Sequence, residues 1–146
     1  MTKKYKIVNL EEKYINDVFL IEKTFFGLND SSVISNSISS DTLKYFVLID
    51  ENEKVVGFYE CSIVLDEAEL FDIAILEEYQ GKKLACKLMQ HFIDLCNEKN
   101  VRTIFLEVNT NNSKALGLYK KFGFIQYSLR KNYYGDSDAI LMKCEL

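Results

Sequence analysis

Between residues 70 and 96 the chain runs from an apolar stretch, Leu70-Phe71-Asp72-Ile73-Ala74-Ile75, through the basic turn Tyr79-Gln80-Gly81-Lys82-Lys83-Leu84-Ala85 into an amphipathic helix expected to begin near Lys82. In that helix Leu84, Leu88, Phe92 and Leu95 form a stripe, with Ala85, Met89, Ile93 and Cys96 beside it. This is the spacing of a helix face that packs on a neighbouring layer. A strand that turns sharply into a helix N-terminus leaves free backbone N–H groups at the positive end of the helix dipole, and together these attract an anion. Lys82 and Lys83 add charge at the same place, which suits a pyrophosphate. An ordinary solvated strand-to-helix turn has the same outline, so the stretch alone leaves both readings open.

The rest of the chain sets this unit in context. Tyr5 to Val8 reads as an edge strand, and Leu10 to Lys23 as a helix with Tyr14, Val18 and Ile21 at helical spacing and Ile15 beside them. Tyr45 to Ile49 and Val55 to Val64 read as strands joined by the polar loop Asp50-Glu51-Asn52-Glu53-Lys54, and Glu69 to Ile75 as the third strand of that meander. Thr103 to Val108 is a short apolar run that fits a buried strand. The expected order is strand, helix, short helix, three strands, helix, strand, helix, two strands. That is an α+β chain with one βαβ-like crossover at its centre.

At 146 residues, one domain spanning 1–146 with a substantial core is expected. Hydrophobic residues make up 48% and charged residues 27%, the balance of a soluble globular chain. No apolar run approaches the roughly 20 residues that cross a bilayer. Basic residues in Met1-Thr2-Lys3-Lys4-Tyr5 have no apolar signal region behind them, so no membrane association is expected and the cytoplasm is the expected location. The net charge of -4 argues against non-specific nucleic-acid binding and is compatible with a basic protein or amine as partner. Cys61, Cys86, Cys96 and Cys144 lack Cys-x-x-Cys spacing. They read as small buried apolar residues, and no metal site is expected.

A second block, Asn111-Asn112-Ser113-Lys114-Ala115-Leu116-Gly117-Leu118-Tyr119 followed by Lys120-Lys121-Phe122-Gly123-Phe124, changes the weight of the first. Together they resemble the GNAT superfamily of acetyl-coenzyme A-dependent N-acetyltransferases. That superfamily carries a Gln/Arg-x-x-Gly-x-Gly/Ala turn and an Asn-x-x-Ala-x-x-x-Tyr helix followed by Gly-Phe. The counterparts here are Gln80 to Ala85, and Asn112, Ala115, Tyr119 and Gly123-Phe124. One departure is Lys83 at the first motif glycine, whose side chain must point away from the phosphates. Asp66 to Leu70, Leu106-Glu107-Val108 and Arg130-Lys131-Asn132-Tyr133-Tyr134 are similar to the bacterial ribosomal-protein alanine N-acetyltransferases. The resemblance implies a GNAT-like mixed, mostly antiparallel central sheet flanked by helices, with acetyl-coenzyme A as acetyl donor.

Acetyl transfer to an amine requires loss of the amine proton, polarisation of the thioester carbonyl and protonation of the departing thiolate. An α-amino group with pKa near about 7.7–8.0 needs only modest help from a base. Glu107 interrupts the apolar run Ile104-Phe105-Leu106-Glu107-Val108, where a carboxylate needs a partner or a purpose. It is the candidate base, or else a glutamate emerging at a strand edge. Tyr119 shares a helix face with Asn112 and Ala115, and small Ala115 leaves room beside it. A phenol can protonate the thiolate; a core tyrosine has the same spacing. The resemblance assigns Glu107 as proton acceptor and Tyr119 as proton donor. It places pantetheine against the backbone of Ile73, Ala74 and Ile75, and the phosphates on Gly81, Lys82, Lys83, Leu84, Ala85 and Cys86. Asn112 is a further cofactor contact. Tyr133 and Tyr134 resemble the paired tyrosines that line the peptide side of N-terminal acetyltransferases, although two such aromatics also serve loop packing.

The expected activity is acetylation of a protein N-terminal α-amino group, such as a ribosomal-protein alanine, by direct attack; Cys86 and Cys96 lack a base close in sequence for an acyl-enzyme. Two alternatives stand beside it. An acetyltransferase of a small amine such as a polyamine is one, because Phe25-Phe26-Gly27-Leu28-Asn29-Asp30 lacks the Pro-Trp element of many close relatives. A non-catalytic coenzyme A-binding module, suggested by Lys83, is the other.

Overall fold

The computed structural model describes residues 4–146, so Met1 to Lys3 of the basic N-terminal segment lie outside the described residues. The strands are β1 (Tyr5–Asn9), β2 (Leu43–Asp50), β3 (Val55–Val64), β4 (Glu67–Ile75), β5 (Thr103–Asn109), β6 (Ile125–Arg130) and β7 (Ala139–Glu145). The helices are α1 (Ile15–Phe26), α2 (Ser32–Ser37), α3 (Leu84–Glu98) and α4 (Ser113–Lys121). All seven strands join one sheet in the order β1-β2-β3-β4-β5-β7-β6. Every neighbouring pair is antiparallel except β4–β5, which is parallel. The mixed, mostly antiparallel sheet and the element order are those expected.

Two apolar layers cover the faces. On one, Val18 and Ile21 of α1 and Ile34 of α2 pack against Val47, Ile49, Phe58 and Ala74. On the other, Leu84, Leu88, Met89, Phe92 and Cys96 of α3 and Tyr119 of α4 pack against Tyr59, Leu70, Ile104, Leu106 and Met142. Alternation along each strand sends successive side chains to opposite layers, which is why both faces can be apolar at once. Cys61, Cys96 and Cys144 are buried, Cys86 is half-buried, and all four are free thiols.

Several boundaries differ from the expected ones, each for a local reason. The first helical stretch begins as a 3-10 turn at Glu12–Tyr14 before α1 proper, and α1 continues past Lys23 to Phe26. Gly27, at φ 72, ends it by donating its N–H to the Lys23 carbonyl at 3.1 Å. Helix α3 starts at Leu84 rather than near Lys82, because Gly81 (φ 81) and Lys83 (φ 62) hold the turn in left-handed backbone. Strand β4 starts at Glu67, two residues earlier than its apolar pattern suggested. Leu95, expected in the α3 stripe, is only half-buried, and Cys96 takes the inward position.

The parallel pair positions the site. β4 and β5 pair from Glu67–Thr103 to Leu70–Leu106 and then part. Beyond that point β4 runs on to Ile75 against β3, while β5 runs on to Asn109 against β7. A bulge at Phe71, left unpaired between Leu70 and Asp72, turns β4 away. The facing edges of the two strands are left without a backbone partner, and a wedge-shaped opening is formed in the middle of the sheet.

Candidate active site

The turn below the opening is built for an anion. Among the described residues, the backbone N–H groups of Gly81 to Cys86 make no hydrogen bond, so six donors surround the N-terminus of α3. A Cβ at Gly81 would meet nothing within 4 Å; the glycine is required by its positive φ, and the space beside it is open. Gln80 braces the turn by donating from its amide to the Ile75 carbonyl at 2.9 Å, and Lys114 of α4 reaches the Gln80 oxygen at 3.4 Å. Lys82, Lys83 and Lys114 thereby give this end of the opening a positive lining. Lys83 occupies the left-handed conformation that glycine favours, which is what its position in the motif demands of the backbone.

Ile73, Ala74 and Ile75 line the free edge of β4 above the turn. Asn112 caps α4, its side chain accepting the Ala115 N–H at 3.1 Å. One of its oxygen positions is therefore structural, and its amide NH2 makes no hydrogen bond among the described residues.

On the α1 side of the opening, Glu107 is half-buried near the end of β5, with the Arg130 guanidinium 3.4 Å away. Tyr119 is buried on α4 beside Phe124, and its hydroxyl has no partner among the described residues. Burial, with smaller contributions from the charges of Asp72 and Tyr134, pushes the Tyr119 phenol well above its ordinary pKa. Tyr133 and Tyr134 sit in the exposed β6–β7 loop, edge-to-face with ring centroids 5.0 Å apart, and Arg130 lies 5.5 Å from the Tyr133 ring. Burial raises the Tyr134 phenol, helped by the charges of Glu107, Tyr133 and Asp72. Tyr134 is thus within electrostatic reach of both Glu107 and Tyr119.

The three buried thiols offer no rival nucleophile. Burial pushes Cys96 up to about 12 and raises Cys61 and Cys144 as well. Half-buried Cys86 faces Lys121 Nζ at 3.5 Å, on the α3–α4 side.

Sequence reasoning passed over a second group of carboxyls, between α1 and the sheet. Glu22 of α1, Glu60 of β3 and Asp72 of β4 come together there, their nearest oxygens all within 4.8 Å of one another. Burial raises all three, Glu22 to about 9 and Glu60 to about 7, with mutual repulsion adding to both. Glu60 and Asp72 carry the same signal that marked Glu107, a carboxylate inside an apolar strand. Glu22 lies four residues after Val18 and next to Ile21, on the inward face of α1. Glu69, also outside the expected site, faces Glu107 and Arg130, and burial followed by the Glu107 charge raises it.

A turn of free backbone amides at a helix N-terminus beside a split parallel strand pair defines the frame of a coenzyme A-dependent acyltransferase. The model of the acetyltransferase (GNAT) family matches residues 12–124, and the chain belongs to that family. It is an enzyme, an N-acetyltransferase whose donor is acetyl-coenzyme A. The chain is 37% identical to the ribosomal protein bS18-alanine N-acetyltransferase of Haemophilus ducreyi, over 91% of each chain. The crystal structure of the ribosomal-protein-S18-alanine N-acetyltransferase from Escherichia coli superposes with a TM-score of 0.87 at 29% identity, covering 97% of this chain and 94% of that one. Spermidine N-acetyltransferase from Vibrio cholerae, in complex with coenzyme A and spermine, shares the fold with a TM-score of 0.84 at 20% identity, covering 97% and 95%.

Proposed function

We propose that residues 1–146 act as one acetyltransferase domain that acetylates a protein N-terminal α-amino group, with the N-terminal alanine of a ribosomal protein as the leading candidate. The turn of six unpaired N–H groups beside the split β4–β5 pair carries this reading, with Glu107 half-buried near the end of β5 and Tyr119 buried on α4, and the Haemophilus ducreyi relative supports it. Pantetheine runs along Ile73, Ala74 and Ile75, the phosphates lie on Gly81, Lys82, Lys83, Leu84, Ala85 and Cys86, and Asn112 offers its amide to the cofactor. The acceptor enters past Tyr133 and Tyr134. Glu107 takes a proton from the ammonium form, directly or through water; the neutral nitrogen forms a bond to the thioester carbon. As the carbon–sulfur bond breaks, Tyr119 gives its proton to the thiolate and the nitrogen's second proton returns to the Tyr119 phenolate through solvent, leaving the amide and coenzyme A thiol. A phenol with a raised pKa holds its proton until a thiolate develops beside it. No helix among the described residues is long and apolar enough to cross a membrane, which agrees with work in the cytoplasm.

A small polyamine is the second reading, favoured by the carboxyls of Glu22, Glu60, Asp72 and Glu69. Thiol release from acetyl-coenzyme A separates the two. Turnover of an Ala-starting peptide but not of its N-blocked form or spermidine is expected; spermidine turnover without peptide turnover moves the assignment to small amines.

A further inference from the structure

Arg130 is the last residue of β6, the strand at one edge of the sheet, and the chain passes from it into the loop that carries Tyr133 and Tyr134. It pairs with Ala139 of β7, while Glu107 of β5 pairs with Leu141, two positions along the same strand. Paired residues share a face of a sheet, and so do residues two apart on one strand. Both side chains therefore leave the sheet on the same side, with β7 between their strands. The Arg130 guanidinium spans that strand and stands 3.4 Å from Glu107 Oε1. It also lies 5.5 Å from the centre of the Tyr133 ring, within the range of a cation–π contact.

The guanidinium stands between two acids. Burial and then the charge of Glu107 raise the Glu69 carboxyl, and the charge of Arg130 works against both. Ion pairs among the described residues are Lys13–Glu53, Arg130–Glu107 and Lys143–Glu145, so no other lysine or arginine pairs with Glu107. About half of the Arg130 side chain is exposed, at 52%, and 29% of that of Glu107. Ion pairs this open add little to stability, so the pair matters little to holding the fold together. A glutamate side chain left to itself keeps considerable rotational freedom. With Glu69 repelling it and Arg130 attracting it, the Glu107 carboxylate has one favoured direction. At 3.4 Å the contact is longer than a charge-assisted hydrogen bond, so the carboxylate is drawn to one side without being closed off.

We infer that Arg130 is a positioning residue for acetyl transfer, its guanidinium, backed by the Tyr133 ring, holding the Glu107 carboxylate in the orientation that receives the acceptor's proton. The inference rests on Glu107 as the base, proposed above. Arg130 acts through that carboxylate and on neither the acceptor nor coenzyme A directly. Proton transfer needs the carboxylate within hydrogen-bond reach of the nitrogen, and small misplacements are costly in rate. Charge is the first requirement, so a lysine meets much of it; the flat guanidinium face against Tyr133 is what a lysine lacks.

A double-mutant cycle in steady-state kinetics of the full chain tests this, with whichever acceptor turns over in the thiol-release assay. Arg130→Met keeps an apolar stem and removes the charge. It is expected to lower kcat about tenfold, with the KM for acetyl-coenzyme A within about twofold of the parent. Arg130→Lys should recover kcat to within about threefold of the parent. In the Glu107→Gln background, Arg130→Met should change kcat by less than about twofold, because the group it positions is gone. A tenfold loss that persists in that background overturns the inference, since a purely structural defect adds to the loss of the base. A lysine variant no faster than the methionine variant overturns it too, as does a parent-like kcat in Arg130→Met. The cycle also separates this role from the one beneath it. Glu107→Gln with the parent's kcat removes the base and the positioning role with it. A slow Glu107→Gln whose loss simply adds to that of Arg130→Met leaves the base standing and removes Arg130 alone.

Discussion

Burial decides the protonation state of Tyr119. Its phenol is enclosed by the α4 layer, has no hydrogen-bond partner among the described residues and is pushed toward the protonated form. Tyr119→Phe keeps the ring that packs on Phe124 and removes only the donor. The expected result is a fall in kcat of about 100-fold or more with coenzyme A affinity within about twofold; retention of kcat takes Tyr119 out of proton transfer. Glu107→Gln keeps the size of the side chain and removes the base. The rate should fall most at low pH, where the amine is most protonated, and the gap to the parent should narrow as pH approaches about 8. An unaltered pH–rate profile for the variant removes the assignment. Glu107 stood out in the sequence as a candidate because a carboxylate interrupts an apolar strand. Glu60 and Asp72 interrupt theirs in the same way, yet nothing in local sequence shows that a residue of α1, 38 positions before Glu60, completes the group. Tertiary packing creates it.

Among the elements, the turn before α3 shows what spacing can and cannot give. Lysines after a strand pointed to this turn, and the six unpaired N–H groups from Gly81 to Cys86 lie there. The start of the helix was misplaced, because Lys82 and Lys83 are good helix formers by propensity. Backbone geometry overrides that preference: φ 62 at Lys83 keeps it outside the helix, at a penalty of roughly 1–2 kcal/mol for a residue with a Cβ. Gly81, at φ 81, carries the corresponding demand without that penalty. Gly81→Ala should strain the turn and set a methyl in the space kept open for phosphate. The expected outcome is a KM for acetyl-coenzyme A raised about tenfold, with kcat at saturating cofactor within about twofold. A KM equal to that of the parent places the phosphates elsewhere.

For the whole molecule, element order was readable from periodicity, whereas the placement of β7 between β5 and β6 depends on long-range pairing that no local pattern encodes. The same long-range assembly produces an unusual pH response. The Glu22 carboxyl titrates near about 9 in the fold against about 4.5 ordinarily, and Glu60 near about 7. Their contribution to stability is therefore complete below about 4.5. It is lost as pH rises through the folded values, because the unfolded chain releases those protons earlier. His91, bonded to the Tyr59 hydroxyl at 2.7 Å, works in the opposite sense. Desolvation lowers its pKa, so its contribution is present above about 6.5 and is lost on acidification. Glu22→Gln imitates the protonated carboxyl and cannot ionise, so it should remove the largest alkaline loss and leave the acid side unchanged. Thermal unfolding of the cofactor-free protein between pH 4 and 9 measures this. Near pH 4 the two proteins should melt together, and at pH 9 the variant should lead by about 4 kcal/mol or more, roughly 8–16 °C. Melting curves that stay parallel across the range would show that Glu22 is ionised in the fold and that its neighbours, not its own proton, keep it buried.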